Sequence, residues 1–185
     1  MAKWVLIFAL VLVSAAALPS KKGGCAAPTA TPKPIPNPCF ANHGSTVDCS
    51  KAGANLTLEE RQTGLYYFDR SVKTWSEAYE FCKTNNMHLA NVYNQAIYDD
   101  LWLSADGPNN HYHYWVGGSD INFDTTDVRW TDGTPVNQSL WVIPPEPSSD
   151  NCAMLCFPLH AIPCNGVGSP NNGFICQVPQ CCLAT

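Results

Sequence analysis

The stretch Thr74-Trp75-Ser76-Glu77-Ala78-Tyr79-Glu80-Phe81-Cys82, read together with Tyr114-Trp115-Val116-Gly117-Gly118, decides the fold. Thr74 followed three residues later by Glu77 is a capping box, in which a hydroxyl and a carboxylate satisfy two backbone donors at a helix start. Behind it Trp75, Ala78, Tyr79 and Cys82 recur at i, i+3, i+4 and i+7, one buried face of a helix. Just upstream, Leu65-Tyr66-Tyr67-Phe68 is a short aromatic strand. Downstream, His88–Val92 predicts a brief strand, and Asn94 caps a second helix, Gln95–Ser104, whose buried stripe includes Ile97, Leu101 and Trp102. Tyr114–Gly118 is a core strand in which Trp115 is the apolar anchor and the glycines suit a sharp backbone turn. A polar, loop-rich stretch follows from Ser119 to about Asn151, carrying Trp130 and Trp141. Cys152–Phe157 and Gly173–Val178 are strand-like, with turn chemistry between them. Two helices followed by short strands predict an α+β domain.

Outside this body the chain changes character. Lys3 precedes the apolar run Trp4–Val13, and Ala15 and Ala17 stand at the −3 and −1 positions of a cleavage site. That is the pattern of a secretory leader, residues 1–17, and the apolar run is too short to span a hydrocarbon layer of ~30 Å. Residues 18–63 form an N-terminal extension: Ala27–Pro38 has proline at nearly every second position towards its end, which favours an extended polyproline II tether. Cys39 and Cys49 flank a step rich in Gly, Asn and Ser. The compact domain is expected over 64–178, with 179–185 as a tail carrying the vicinal Cys181 and Cys182. The sequons Asn55-Leu56-Thr57 and Asn137-Gln138-Ser139 agree with an exported chain and mark Asn55 and Asn137 as N-glycosylation candidates.

Composition narrows the function classes. The chain has 185 residues, of which 45% are apolar and 14% charged, so it can fill a core. Lys and Arg total 10 against 15 Asp and Glu, a formal net charge of −5, and the longest basic run is the pair Lys21-Lys22. Phosphate recognition needs clustered positive charge, so a nucleic-acid or anionic-membrane surface is not expected. The 10 cysteines lack the paired spacings of zinc modules and point to disulfides formed in an oxidising compartment. His111 and His113 alternate on one strand face, but no third ligand accompanies them. No Gly-x-Ser-x-Gly elbow or His-Glu-x-x-His helix is present, and no enzyme is expected.

Taken in order, Tyr66-Tyr67-Phe68, Trp75-x-x-Ala78-x-x-x-Cys82, Leu89-Ala90, Trp115-Val116-Gly117-Gly118, Trp130-Thr131-Asp132-Gly133, Trp141, Glu146-Pro147-Ser148, Cys152, Cys164 and Phe174-Ile175-Cys176-Gln177 resemble a C-type lectin-like domain. The resemblance is to secreted C-type lectins of the invertebrate type. The resemblance implies an α+β fold of two helices, short antiparallel sheets and a long loop region. It implies the bridges Cys82–Cys176 and Cys152–Cys164, and core positions for Trp130 and Trp141. Cys25, Cys39, Cys49, Cys156, Cys181 and Cys182 remain and allow fifteen pairings. Cys39–Cys49 is the favoured local loop, which leaves Cys25 and Cys156 for Cys181 and Cys182 in either order, with a disulfide-linked oligomer as the alternative.

In such lectins the long loop holds a calcium ion whose shell is completed by sugar hydroxyls, and a hard cation of this kind takes six to eight oxygens. The resemblance therefore implies Glu146, Ser148, Asp150 and Asn151 as candidate ligand-binding residues, with Glu146 and Asp150 as the calcium candidates. Ser148 offers only a neutral hydroxyl where the family has an amide or carboxylate. The family's Trp-Asn-Asp triplet reads Leu159-His160-Ala161 here and brings no oxygen ligand. Asp120, Asp124 and Asp127 are the other acids within reach in sequence. The implied function is a secreted lectin that binds carbohydrate, in soluble innate defence, with an eroded calcium site. The alternative is a calcium-independent lectin-like domain that binds a protein partner. Tyr112 and Tyr114 are additional aromatic candidates for a sugar face.

Overall fold

The computed structural model describes residues 40–42, 45–105, 112–121, 127–145, 150–156, 159–166 and 172–183, all within the compact unit Pro34–Thr185. Its elements run β1 (Phe40–Ala41), β2 (Ser45–Thr46), β3 (Glu59–Arg61), β4 (Gly64–Asp69), α1 (Trp75–Thr84), β5 (His88–Leu89) and α2 (Gln95–Ser104), then β6 (His113–Ser119), β7 (Trp141–Ile143), β8 (Asn151–Leu155), β9 (Leu159–Pro163) and β10 (Asn172–Gln177). The main sheet has the order β3-β4-β10-β6-β8-β9-β7, and β5 continues the β6 side of β10. Most pairings are antiparallel, but β10–β6 and β7–β9 are parallel, so the sheet is mixed where only antiparallel pairs were expected.

The capping box forms: the Thr74 hydroxyl accepts from the Glu77 backbone N–H, and the Glu77 carboxylate accepts from Thr74 N–H at 2.8 Å. Trp75, Ala78, Tyr79 and Cys82 are the buried face of α1. The Trp75 indole N–H donates to the Val116 carbonyl and the Trp115 indole N–H to the Lys73 carbonyl, each at 2.8 Å. Two large side chains thus enter the core with their single polar atom satisfied, and each buries enough apolar surface to contribute roughly 1.5–3 kcal/mol. On α2, Asn94 caps by accepting from Ile97 N–H, but the fully buried residues are Tyr98 and Leu101, with Ile97 and Trp102 half-buried. Tyr98 goes inside because its hydroxyl donates to the Cys156 carbonyl at 2.6 Å.

Alternation along β6 divides the core in two. Tyr114 and Val116 pack with Tyr98, Leu101, Leu155 and Ile175, whereas Trp115 packs with Trp75, Met154, Phe174 and Cys176. Gly117 and Gly118 lie inside β6 rather than at a turn. A Cβ on Gly117 would run into the Asn91 side-chain oxygen and the Leu89 carbonyl, and one on Gly118 would lie 2.8 Å from Ala153 Cβ. The glycines admit close neighbours, which is the second reason a strand keeps them.

Disulfides join Cys82 to Cys176 and Cys152 to Cys164. In the loop-entropy account the first, closing 94 residues, contributes about 4–5 kcal/mol. The expected Cys39–Cys49 loop does not form, because Cys49 is bonded to Cys182 across 133 residues. Cys181 is also disulfide-bonded, while Cys156 is a buried free thiol and pairs with neither vicinal cysteine. Packing explains the long bridge. Leu56 and Leu58 lie against the α1-side core, Gly53 N–H donates to the Asn85 carbonyl, and β3 pairs with β4. The body of the domain therefore reaches well before Gly64, and Val178 N–H, bonded to the Leu65 carbonyl, brings the C-terminal turn to the same side. Among the described residues no helix is long and apolar enough to cross a membrane.

Candidate functional site

Glu146 and Ser148, with Asp124 and His111, lie outside the described residues. The segments that carry the 146–149 loop are described in full. These positions fall between β7 and β8 in the chain, and the entry to β8 is clamped twice. Cys152 is bonded to Cys164 at the end of β9, and Asp150 offers its backbone carbonyl to Cys164 N–H at 3.2 Å. One residue on, Asp120 accepts from both the Asn151 backbone N–H at 2.8 Å and its side-chain amide at 2.7 Å, and Asp120 N–H donates to the Asn151 carbonyl at 3.1 Å. These bonds fasten the exit of β6 to the entry of β8.

The candidates separate accordingly. Asp150 is exposed at the loop mouth and free to meet a ligand. Asn151 is only 3% exposed, and its amide serves the Asp120 bond. Asp120 has both carboxylate oxygens engaged by Asn151. In the sequence Asp120 stands only as a spare acid, because its partner is 31 residues away and no local pattern joins the two.

A second turn supports the same end of the sheet. In Trp130–Gly133 the Asp132 carboxylate accepts from the Thr134 backbone N–H, the Thr134 hydroxyl and the Tyr93 hydroxyl, the last at 2.7 Å. Asn91 accepts from Thr131 N–H and hydroxyl, and donates to the Tyr93 oxygen at 2.9 Å. Burial and the Asp132 charge push the Tyr93 phenol upward, so it stays a donor. Trp130 is fully buried, Trp141 half-buried and Tyr114 buried, so none of the three offers an open ring face. Tyr112 is half-buried under the Arg70 guanidinium, 5.1 Å above its ring, and lies roughly 25 Å from Asp120 along β6 at the usual strand rise.

The metal candidates can be judged by their donors. Leu159-His160-Ala161 forms the start of β9, with Leu159 and Ala161 buried and His160 half-buried opposite Met154. Burial, and next the nearby His113, lower the His160 pKa, so the ring stays neutral at pH 7 and adds no anionic oxygen. Among the described residues no group of three or more His, Cys, Asp or Glu could hold a metal ion. Among the described residues Asp150 is the exposed carboxylate of the matched positions, whereas a calcium shell takes six to eight oxygens.

A family profile described as the lectin C-type domain matches residues 71–178, the span from before α1 to just past β10. The chain belongs to the C-type lectin domain family. This C-type lectin domain is 36% identical over 93 residues to human C-type lectin domain family 17, member A, and 32% identical over 125 residues to mouse C-type lectin domain family 4 member K. Those matches cover 49% and 62% of this chain but only 23% and 35% of the relatives. The solved SPL-1–GlcNAc complex shares the fold with a TM-score of 0.53 at 23% identity, over 69% of this chain and 96% of that one. The α+β lectin architecture is thus established, and members of this family are recognition domains.

Proposed function

We propose that the chain is a secreted carbohydrate-recognition protein that engages glycan hydroxyl groups at the 146–150 loop with little or no help from calcium. The observation that carries this reading is the double clamp at Cys152–Cys164 and Asp120–Asn151, which leaves the Asp150 carboxylate exposed on a fixed base. A loop held at its root loses less entropy on binding, so its polar groups become recognition groups at lower cost. Export rests on the leader-like residues 1–17 and on the disulfides, and a place in innate defence rests on the family likeness alone. SPL-1 was solved with GlcNAc, which makes that sugar the first to test. A second reading, a protein-binding lectin-like domain, is favoured by His160 and Ala161 standing where the family's oxygen-bearing triplet would be. A glycan array probed with millimolar calcium and again with chelator separates the two. Glycan signal retained in chelator supports the proposal, and an array blank under both conditions favours the second reading.

A further inference from the structure

We propose that Asn137 carries an N-linked oligosaccharide and that this glycan shields the β7 edge of the sheet. The two ends of the sheet differ in how they meet solvent. At one end β3 is Glu59-Glu60-Arg61, a charged edge of the kind that discourages pairing with another chain. At the other end β7 pairs with β9 alone among the described residues, and Val142 and Ile143 are 54% and 48% exposed. No charged residue occurs from Asn137 to Pro145, so this apolar edge has no charge of its own to protect it.

Asn137 caps the 3-10 turn Gln138–Leu140 that runs directly into β7. Its side-chain oxygen accepts from Ser139 N–H at 3.0 Å and from the Ser139 hydroxyl at 2.9 Å, while its amide nitrogen makes no hydrogen bond among the described residues. Asn137 and Ser139 are exposed. The sequon is therefore folded into an Asx-turn that leaves the acceptor nitrogen facing solvent. At Asn55-Leu56-Thr57 no such bonds form among the described residues, and Leu56 is packed on the core. From Asn137 to Ile143 the chain advances only about 16 Å at 3-10 and strand rises, a distance that a core oligosaccharide of several rings covers.

The transfer itself is ordinary chemistry of the secretory pathway. The Asn137 amide nitrogen bonds to the anomeric carbon of an oligosaccharide borne on a polyprenyl diphosphate. The carbon–oxygen bond to the diphosphate breaks, the lipid diphosphate leaves with that electron pair, and the nitrogen gives up one proton.

The test is expression in a eukaryotic secretory line with a heterologous leader in place of residues 1–17, so that the outcome does not depend on the proposed export. The secreted chain is treated with peptide-N-glycosidase in heavy-oxygen water and peptide-mapped, and its mass in solution is measured by light scattering before and after native deglycosylation. Heavy-oxygen aspartate at position 137, absent in Ser139→Ala, is expected. Self-association should rise on native deglycosylation or in Asn137→Gln, and should be reversed by Ile143→Lys. Unmodified Asn137 in the secreted chain overturns the proposal. So does a deglycosylated chain whose mass distribution is unchanged.

Discussion

The carboxylate of Asp120 holds Asn151 by two bonds, one to its backbone N–H and one to its side-chain amide, and so ties the end of β6 to the start of β8. The backbone bond alone would set register. The added amide bond orients the residue that follows Asp150 and precedes Cys152, which is where the loop meets its disulfide. Asp120→Ala leaves two donors of a buried residue without an ionised acceptor, a loss of about 1.5–3 kcal/mol. For a domain of this size that is a fall in Tm of roughly 4–10 °C. Asp120→Asn, which keeps one acceptor, should lose less. Thermal melts followed by circular dichroism measure both, and an Asp120→Ala melt within about 1 °C of the parent would mean that Asn151 is held by its other contacts.

Cys156 offers a chemical probe of core integrity. Its thiol is buried, and burial pushes its pKa up to about 12, so little thiolate exists at pH 8. Native protein should therefore leave Cys156 unlabelled by iodoacetamide at pH 8 over hours, whereas unfolding in guanidinium without reductant should expose it within minutes. Peptide mapping of the labelled site reads the result. Rapid native labelling at Cys156 would show that the end of β8 opens to solvent.

What the sequence disclosed and what it withheld divides by distance along the chain. The capping box of Thr74 and Glu77 and the buried face of α1 were legible because each depends on residues within two turns of one another. The bridges Cys82–Cys176 and Cys152–Cys164 were implied by the family resemblance that the landmarks carry. Tyr98 is hidden behind Ile97 in the sequence because an apolarity pattern does not register a phenol whose hydroxyl finds the Cys156 carbonyl. The strands β3, β7 and β9 are three to five residues long and owe their form to distant partners. Cys49–Cys182 failed to show for the same reason: a short local loop closes cheaply in a chain viewed alone, but the packing of Leu56 and Leu58 decides otherwise. At the site, Asp150 was legible as a loop acid, while the Asp120–Asn151 clamp was not.

That long bridge makes its own prediction. Joining residues 133 apart, Cys49–Cys182 removes about 5 kcal/mol of denatured-state entropy in the loop-closure account. Nonreducing peptide maps should recover the Cys49 peptide crosslinked to the peptide holding Cys182. Cys49→Ala with Cys182→Ala should lower Tm by roughly 10 °C or more while retaining the fold. A Cys49 peptide crosslinked to Cys39 instead would refute the packing of residues 49–58 against the core.

Acid should weaken this domain before its carboxylates titrate. His88 is buried beside β10, its Nδ1–H donating to the Leu89 carbonyl at 2.7 Å, and burial lowers its pKa from the ordinary 6.5. His160 is lowered too, by burial and by His113. For a depressed imidazole the unfolded chain takes up the proton first, so the stabilisation is complete above pH 6.5 and drains away as pH falls below it. Tm should decline from pH 7.5 to pH 5, and His88→Gln should flatten that slope. Glu77, whose pKa is lowered by its bonds to Thr74, adds a further loss only below the ordinary carboxylate value of 4.5. A slope unchanged in His88→Gln would assign the acid sensitivity to other groups.

The loop prediction separates recognition from stability. Asp150 contributes its backbone carbonyl to the Cys164 bond, and its carboxylate is exposed, so removing the carboxylate takes nothing from the clamp. Glu146→Ala with Asp150→Ala should therefore leave Tm within about 1–2 °C of the parent, since surface changes of this kind fall within ±0.5 kcal/mol each. Glycan or partner binding should be lost in the same variant. Calcium enters as a control on the parent chain. A cation at a hundred times its Kd adds about 2.7 kcal/mol, enough to raise Tm by roughly 5–10 °C. Melts in millimolar calcium and in chelator should instead nearly coincide, because His160 and Ala161 supply no carboxylate and Asp120 is held by Asn151. A clear calcium-dependent rise would place an oxygen shell around Glu146 and Asp150 after all. Full binding by the double variant would move recognition off the loop, and the N-terminal proline-rich segment would be the next surface to vary.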